Sequence, residues 1–216
     1  MGTRRLVVIS PHLDDAVLSA GQVLGGSPGA AVITVLAGIP DGTGVTEYDR
    51  GCGFTTSRQA MRQRREEDRR ALAFLGAEPS HLDFLPRGYG IVPDDGAMLA
   101  ELTARIAELN PAAVAGPVGI VHPDHERVAR VWPRAARQAA GGAPLYAYEE
   151  LPYRVKSRRR AEAAVRDFLC DRPARPAELP RADVGLKAQA MLAYVSQLRF
   201  VFPLDCLAPE RVWLLP

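Results

Sequence analysis

The sequence predicts an α/β chain in which helices cover a parallel sheet. Two observations lead there. Short β-branched runs at residues 5–10 (RLVVIS) and 31–36 (AVITVL) have the unbroken apolar character of strands buried on both faces. Between them lie stretches with apolar residues at helical spacing that end in glycine, so strand and helix alternate to about residue 150.

Residues 5–10 form the first strand. Residues 15–24 form a helix built on Ala16, Val17, Ala20, Val23 and Leu24, and Gly25-Gly26 stops it. The second strand is 31–36. Residues 37–56, rich in glycine and threonine, make a loop of about 20 residues, a length that usually marks function. Ser57 caps the next helix, which ends at Gly76 and whose stripe is Met61, Arg64, Asp68, Ala71, Leu72 and Leu75. A short third strand falls at 82–85. Asp94 or Asp95 caps a helix with Met98, Leu99, Leu102, Ile106 and Leu109 on one side. The fourth strand is 112–115, followed by a helix over 124–140 kinked near Pro133, then a fifth strand at 145–148. In the tail, 183–198 carries a helical stripe of Leu186, Ala190, Met191, Tyr194 and Leu198, and 211–215 adds an edge strand.

With right-handed crossovers, the five strands take the doubly wound, Rossmann-like order 3-2-1-4-5, with helices on both faces and an α/β extension at the C-terminus. The length of 216 residues fits one domain, with a core over about 5–150 and an extension over about 151–216. A net charge of +2 excludes a polybasic nucleic-acid binder, and the chain has no run of 18 apolar residues to span a membrane. The first residues lack a signal-peptide pattern. Cys52, Cys170 and Cys206 are odd in number, far apart and without C-x-x-C spacing. These features together predict a reduced, cytoplasmic setting, with a homo-oligomer left open.

The chemistry gathers at one place. The first strand runs into Ser10-Pro11-His12-Leu13-Asp14-Asp15, and the loop after the fourth runs into His122-Pro123-Asp124-His125. In the order 3-2-1-4-5 those strands are neighbours at the switch point, where ligands bind beyond the strand carboxyl ends. Three of the four histidines lie in these two motifs. Imidazole and carboxylate are zinc ligands, and a catalytic zinc takes three of them and leaves a position for water. The ion lowers the pKa of that water from about 15.7 to about 7, and a nearby carboxylate then takes its proton. The spacing by itself leaves open which of Asp14 and Asp15 is the ligand.

Pro11-His12-Leu13-Asp14-Asp15-Ala16, with Ala20-Gly21 behind it, resembles the P-H-x-D-D motif of the LmbE-like, or PIG-L, zinc N-deacetylases. His122-Pro123-Asp124-His125 is similar to the H-x-D-H motif of that family, and the segment from Arg64 to Asp68 resembles its R-x-x-E helix. Tyr148–Tyr153 and Ala193–Gln197 resemble two later segments of some members. The sequence departs from the pattern at Leu13, at Ala16 and at Ile120-Val121, where some members carry a Tyr-Gly pair. The resemblance implies removal of an N-acetyl or other N-acyl group from an amino sugar or glycoconjugate by zinc-bound water. It implies that His12, Asp15 and His125 bind Zn2+, with another divalent ion such as Fe2+ as the alternative. It makes Asp14 the general base and Asp124 the group that orients His122. It makes His122 the group that stabilises the oxyanion and protonates the amine, a task that suits an imidazolium. Arg64 becomes a substrate-binding residue, against a simple Arg64–Asp68 pair on one helix face.

Two rivals use the same residues. His12 and Asp14 with a distant histidine form the donor set of a non-haem iron oxygenase. A metal-binding but catalytically silent Rossmann-like module is the other; no G-x-G-x-x-G follows the first strand, so dinucleotide binding lacks its phosphate turn. His81 is expected at the surface or in packing, the basic run from Arg154 to Arg160 in a solvated loop, and Tyr194 and Gln197 in structural roles.

Overall fold

The structure is a computed structural model that describes residues 5–170, 173–198 and 204–216. Among the described residues, seven strands form one sheet in the order β3-β2-β1-β4-β5-β7-β6. The strands β1 (Leu6–Ser10), β2 (Ala31–Thr34), β3 (Glu78–His81), β4 (Ala113–Pro117) and β5 (Leu145–Tyr148) pair in parallel, so the expected order 3-2-1-4-5 is borne out. Two antiparallel strands extend it, β6 (Arg175–Pro176) and β7 (Val212–Leu215). The expected edge strand near 211–215 is therefore β7, and β6 covers its outer side.

Alternate strand residues serve the two faces, as the period of two requires. Val7, Ile9 and Ile33 pack with α4 (Asp95–Leu109), α5 (Pro123–Ala139) and α7 (Arg158–Leu169). Val8, Val32 and Tyr148 pack with α1 (Asp15–Gly25), α3 (Ser57–Phe74) and α8 (Val184–Met191). Trp132 of α5 is fully buried against β4, and its indole N–H donates to the Pro117 carbonyl at 2.9 Å. A Cβ on Gly116 would lie 2.4 Å from that ring. Gly116→Ala is therefore expected to destabilise the fold by about 1–3 kcal/mol, measured by urea unfolding, because neither strand nor indole has room to move.

Several elements differ from expectation. The third strand is Glu78–His81, four residues before the predicted 82–85. Its register is set by β2, which pairs Ala31 with Glu78 and Thr34 with His81, and an edge position tolerates Pro79. Only the bridge between Leu36 and Asp83 remains of the predicted strand. The loop 37–56 holds a short helix, α2 (Glu47–Gly51), capped by the Thr46 side chain. Thr56, not Ser57, caps α3, while Ser57 donates to the buried Asp49 at 2.6 Å. Helix α4 is capped by Asp94. Helix α5 runs through Pro133 without interruption. The break falls instead in α1, at Ala20 (φ −136, ψ 23). The predicted helix over 183–198 ends at Met191 and continues as turns. A sixth helix, α6 (Leu151–Lys156), follows β5 directly and carries part of the basic run. Cys52, Cys170 and Cys206 form no disulfide, and among the described residues no helix is long and apolar enough to cross a membrane.

Candidate active site

The carboxyl ends of β1 and β4 carry the two motifs. Ser10 accepts the N–H of Ala16 and donates to the His12 carbonyl at 2.7 Å, which tightens the turn between β1 and α1. That turn leaves Asp14 at the N-cap of α1 and Asp15 in its first turn, where the helix dipole favours carboxylates. On the other side His122 is the N-cap of α5, and His125 sits on its first turn, fully buried.

Three donor atoms meet between these elements. Asp15 Oδ2 lies 3.2 Å from His12 Nδ1 and 3.0 Å from His125 Nε2, and the two ring nitrogens are 3.2 Å apart. Ligands of a tetrahedral zinc at about 2.0–2.1 Å would sit about 3.3 Å from one another, so this triangle has the dimensions the ion needs. His122 also approaches, with ligand atoms of His12, His122 and His125 all within 4.8 Å of one another. Both trios share His12 and His125.

The outer partners fix the rings. His12 Nε2 meets Asp124 Oδ2 at 3.0 Å, and His125 Nδ1 meets Glu150 Oε1 at 3.2 Å. Each ring thus turns one nitrogen towards the triangle and the other towards a carboxylate, the arrangement that sets tautomer and basicity in metal sites. Four carboxyl groups, Asp14, Asp15, Asp124 and Glu150, surround the two rings. Burial pulls His12 down, but Asp124 and Asp15 overcome it and lift the ring to about 9. Burial likewise opposes His125, and Asp15 followed by Glu150 raises it to about 10. Burial would raise Asp15, yet His125 and His12 hold it well below the usual carboxylate range.

Asp14 stands outside the triangle. Burial, then the Asp15 charge, pushes its carboxyl up to about 7. His122 goes the other way, lowered to about 4 by burial and then by His12 and His125. Its Nδ1 accepts the Asp124 backbone N–H at 3.2 Å, so the neutral ring carries its proton on Nε2. Burial and the neighbouring rings thus favour the neutral form of His122, whereas the expected role draws on an imidazolium. The backbone N–H of Asp124 reaches His122, but its carboxylate holds His12 and accepts from Arg87 N–H at 3.3 Å.

A cavity of about 460 Å3 opens above Asp14, Asp15 and His122, walled by Leu13, Met61, Tyr89 and Tyr153. Arg64 lines it but does not pair with Asp68. Its guanidinium meets buried Asp49 at 2.7 Å, donates to Tyr89 Oη at 3.3 Å and lies over the Tyr48 ring. The long loop is thereby pinned to α3. Asp68 instead takes His81 Nε2 at 2.7 Å and the Tyr194 hydroxyl at 2.9 Å, which gives His81 its packing role. Gln197, expected to be structural, lines the cavity, as does Lys156 from the basic run. Sequence reasoning missed the roles of Glu150, Asp49 and Tyr153, whose ring stands edge-on to His125 at 4.9 Å. The signals available were the resemblance of Tyr148–Tyr153 to a family segment and the position of Glu149-Glu150 at the carboxyl end of a strand next to β4.

The chain is similar to known proteins in sequence and in fold. The profile of the PIG-L family, described as GlcNAc-PI de-N-acetylase, matches residues 7–136. No curated sequence matches the chain. Among solved structures, a deacetylase of the teicoplanin biosynthesis pathway superposes with a TM-score of 0.79 at 25% identity, covering 98% of each chain. The A40926 pseudoaglycone deacetylase Dbv21 gives 0.76 at 29% identity, over 99% of this chain and 97% of that one. A zinc-inhibited form of the teicoplanin deacetylase Orf2 gives 0.76 at 24% identity, over 98% and 97%. A profile match across more than half the chain, with both motifs meeting at the switch point, settles the assignment: this chain belongs to the PIG-L family of metal-dependent N-deacetylases.

Proposed function

We propose that the chain removes an N-acetyl or related N-acyl group from an amino sugar or glycoconjugate, with His12, Asp15 and His125 holding Zn2+, or failing that another divalent ion such as Fe2+. The observation that carries this is the 3.0–3.2 Å triangle of Asp15, His12 and His125 beneath a cavity, with Asp14 beside it. The metal, when bound, lowers the pKa of water and polarises the amide carbonyl.

The chain's own groups supply the rest. Asp14 accepts the proton of the attacking water and passes it to the leaving amine nitrogen; a carboxyl raised to about 7 can both take and release a proton at neutral pH. His122 donates its Nε2–H to the carbonyl oxygen as negative charge grows there, so it acts as a neutral hydrogen-bond donor. Asp124 keeps the His12 ring turned so that Nδ1 faces Asp15. Arg64 contributes to substrate binding by framing the cavity with Tyr48 and Tyr89; Asp49 already balances its charge, which disfavours a carboxylate-binding role. The whole of 1–216 acts as one unit, since the extension supplies Gln197 and Lys156 to the cavity. The teicoplanin and A40926 deacetylases support a glycopeptide or other glycoconjugate as substrate.

The test is acetate release from a panel of N-acetylglucosamine conjugates by the zinc-loaded protein. Chelation is expected to lower the rate about 100-fold or more, and one equivalent of zinc to restore it. Activity indifferent to chelation would sink the proposal.

A further inference from the structure

We propose that Glu150 is a positioning residue that ties the His125 ring to the strained turn carrying His122, so that one carboxylate oxygen sets both halves of the site. This rests on reading His125 as a metal-binding residue.

The turn is unusual. Val121 has φ +66, and the His122 N–H donates to the Ile120 carbonyl at 2.7 Å, closing a three-residue turn around a β-branched residue. That is a genuine backbone outlier, since a left-handed φ crowds a branched side chain. Such conformations persist only where surrounding contacts over-determine them. Two residues earlier Gly119 has φ +92, and a Cβ there would lie 2.7 Å from the Ala129 Cβ. The chain thus has little freedom from Gly119 to His122.

Glu150 supplies the missing restraint. Its Oε1 accepts the N–H of Gly119 at 2.9 Å and of Ile120 at 3.1 Å, and the same oxygen meets His125 Nδ1 at 3.2 Å. The residue is fully buried, and its Oε2 has no hydrogen-bond partner among the described residues. All the hydrogen bonding of this buried carboxylate therefore passes through one oxygen, shared between the strained loop and the histidine ring. An ionised carboxylate is acceptor-only and tolerates three converging N–H groups; an amide of the same shape brings two donors of its own. A residue that merely capped the loop would not need to reach His125.

The experiment is Glu150→Gln, read first as zinc affinity by competition with a chromophoric chelator, without substrate. Affinity is expected to fall about 10–100-fold, the usual loss when the outer partner of a ligating histidine is removed. At saturating zinc, kcat should also fall while KM stays within about twofold, because the turn under His122 loosens. Adding Val121→Gly, which removes the strain, should return kcat towards the parent value and leave the zinc affinity low. Zinc affinity of Glu150→Gln within twofold of the parent overturns the proposal, as does a Val121→Gly change that leaves kcat unrepaired or repairs affinity as well. Should Glu150→Gln fail to fold, the imidazole 15N spectrum of the zinc-loaded parent decides. A protonated, hydrogen-bonded Nδ1 on His125 is expected, and a bare Nδ1 overturns it. If no conjugate is hydrolysed the proposed reaction fails, whereas the zinc titration and the imidazole spectrum still judge Glu150.

Discussion

Asp14→Asn lowers turnover about 10²–10⁴-fold while zinc stays bound, the range spanned by removal of a general base. The two halves of this expectation have separate structural grounds. Metal retention follows because Asp14 is not part of the triangle formed by His12, Asp15 and His125. The fold is spared because Asp14 occupies the N-cap of α1 without making a side-chain capping bond, so asparagine removes no helix-stabilising contact. Asparagine keeps the volume and loses the proton acceptor. Burial followed by the Asp15 charge already pushes Asp14 up to about 7, so the aspartate is poised between its two forms and the amide has neither. Turnover and zinc content are measured on the same preparation, with thermal unfolding as a control. A metal-replete Asp14→Asn protein with near-normal turnover would remove Asp14 from the reaction.

The same division between local and distant contacts explains what the sequence revealed. Four of the five strands of the parallel core are short, mostly apolar runs, and such a run carries its own signal, so those four fell close to where they lie. The exception, Glu-Pro-Ser-His at β3, has no apolar run; only its pairing with β2 makes it a strand. The two motifs were legible because each is contiguous and each follows a strand, and the switch-point rule then joined them. What stayed hidden were contacts across long stretches of chain. Glu150 reaches back to Gly119, Ile120 and His125. Asp49 finds Arg64 from inside a loop that has no periodicity to read. Asp68, on the same stripe as Arg64, was available as the nearer partner, but His81 and Tyr194 occupy it. The carboxylate contact of Asp124 was hidden for a related reason: proximity along the chain pointed to His122, whereas the side chain meets His12.

Lys187→Met destabilises the protein by about 3–5 kcal/mol, the cost of stranding a buried charge by removing its partner. Lys187 is one of only two lysines in the chain, and it is fully buried. Its Nζ lies 2.7 Å from Glu210 Oε1, and Glu210 is buried as well. Burial pushes the Lys187 ammonium below its ordinary pKa, with Glu210 acting against that shift. Glu210 also accepts the backbone N–H of Gln22 at 2.9 Å and of Val23 at 3.2 Å. Those two amides follow the break at Ala20, so the carboxylate acts as an internal cap for the second half of α1. Lys187 packs so closely that a Cβ on Gly21 would lie 2.8 Å from its Cγ. The C-terminal extension is therefore wedged into the helix that presents Asp14 and Asp15. For a chain of this size the loss corresponds to a fall in Tm of about 6–20 °C. Lys187→Met/Glu210→Gln should be less destabilised than Lys187→Met alone, because the orphaned charge is gone while the amide oxygen still accepts from α1. Urea unfolding of the single and double variants measures both. A single variant within about 1 kcal/mol of the parent, or a double variant worse than the single, would show that the pair does not hold α1 in place.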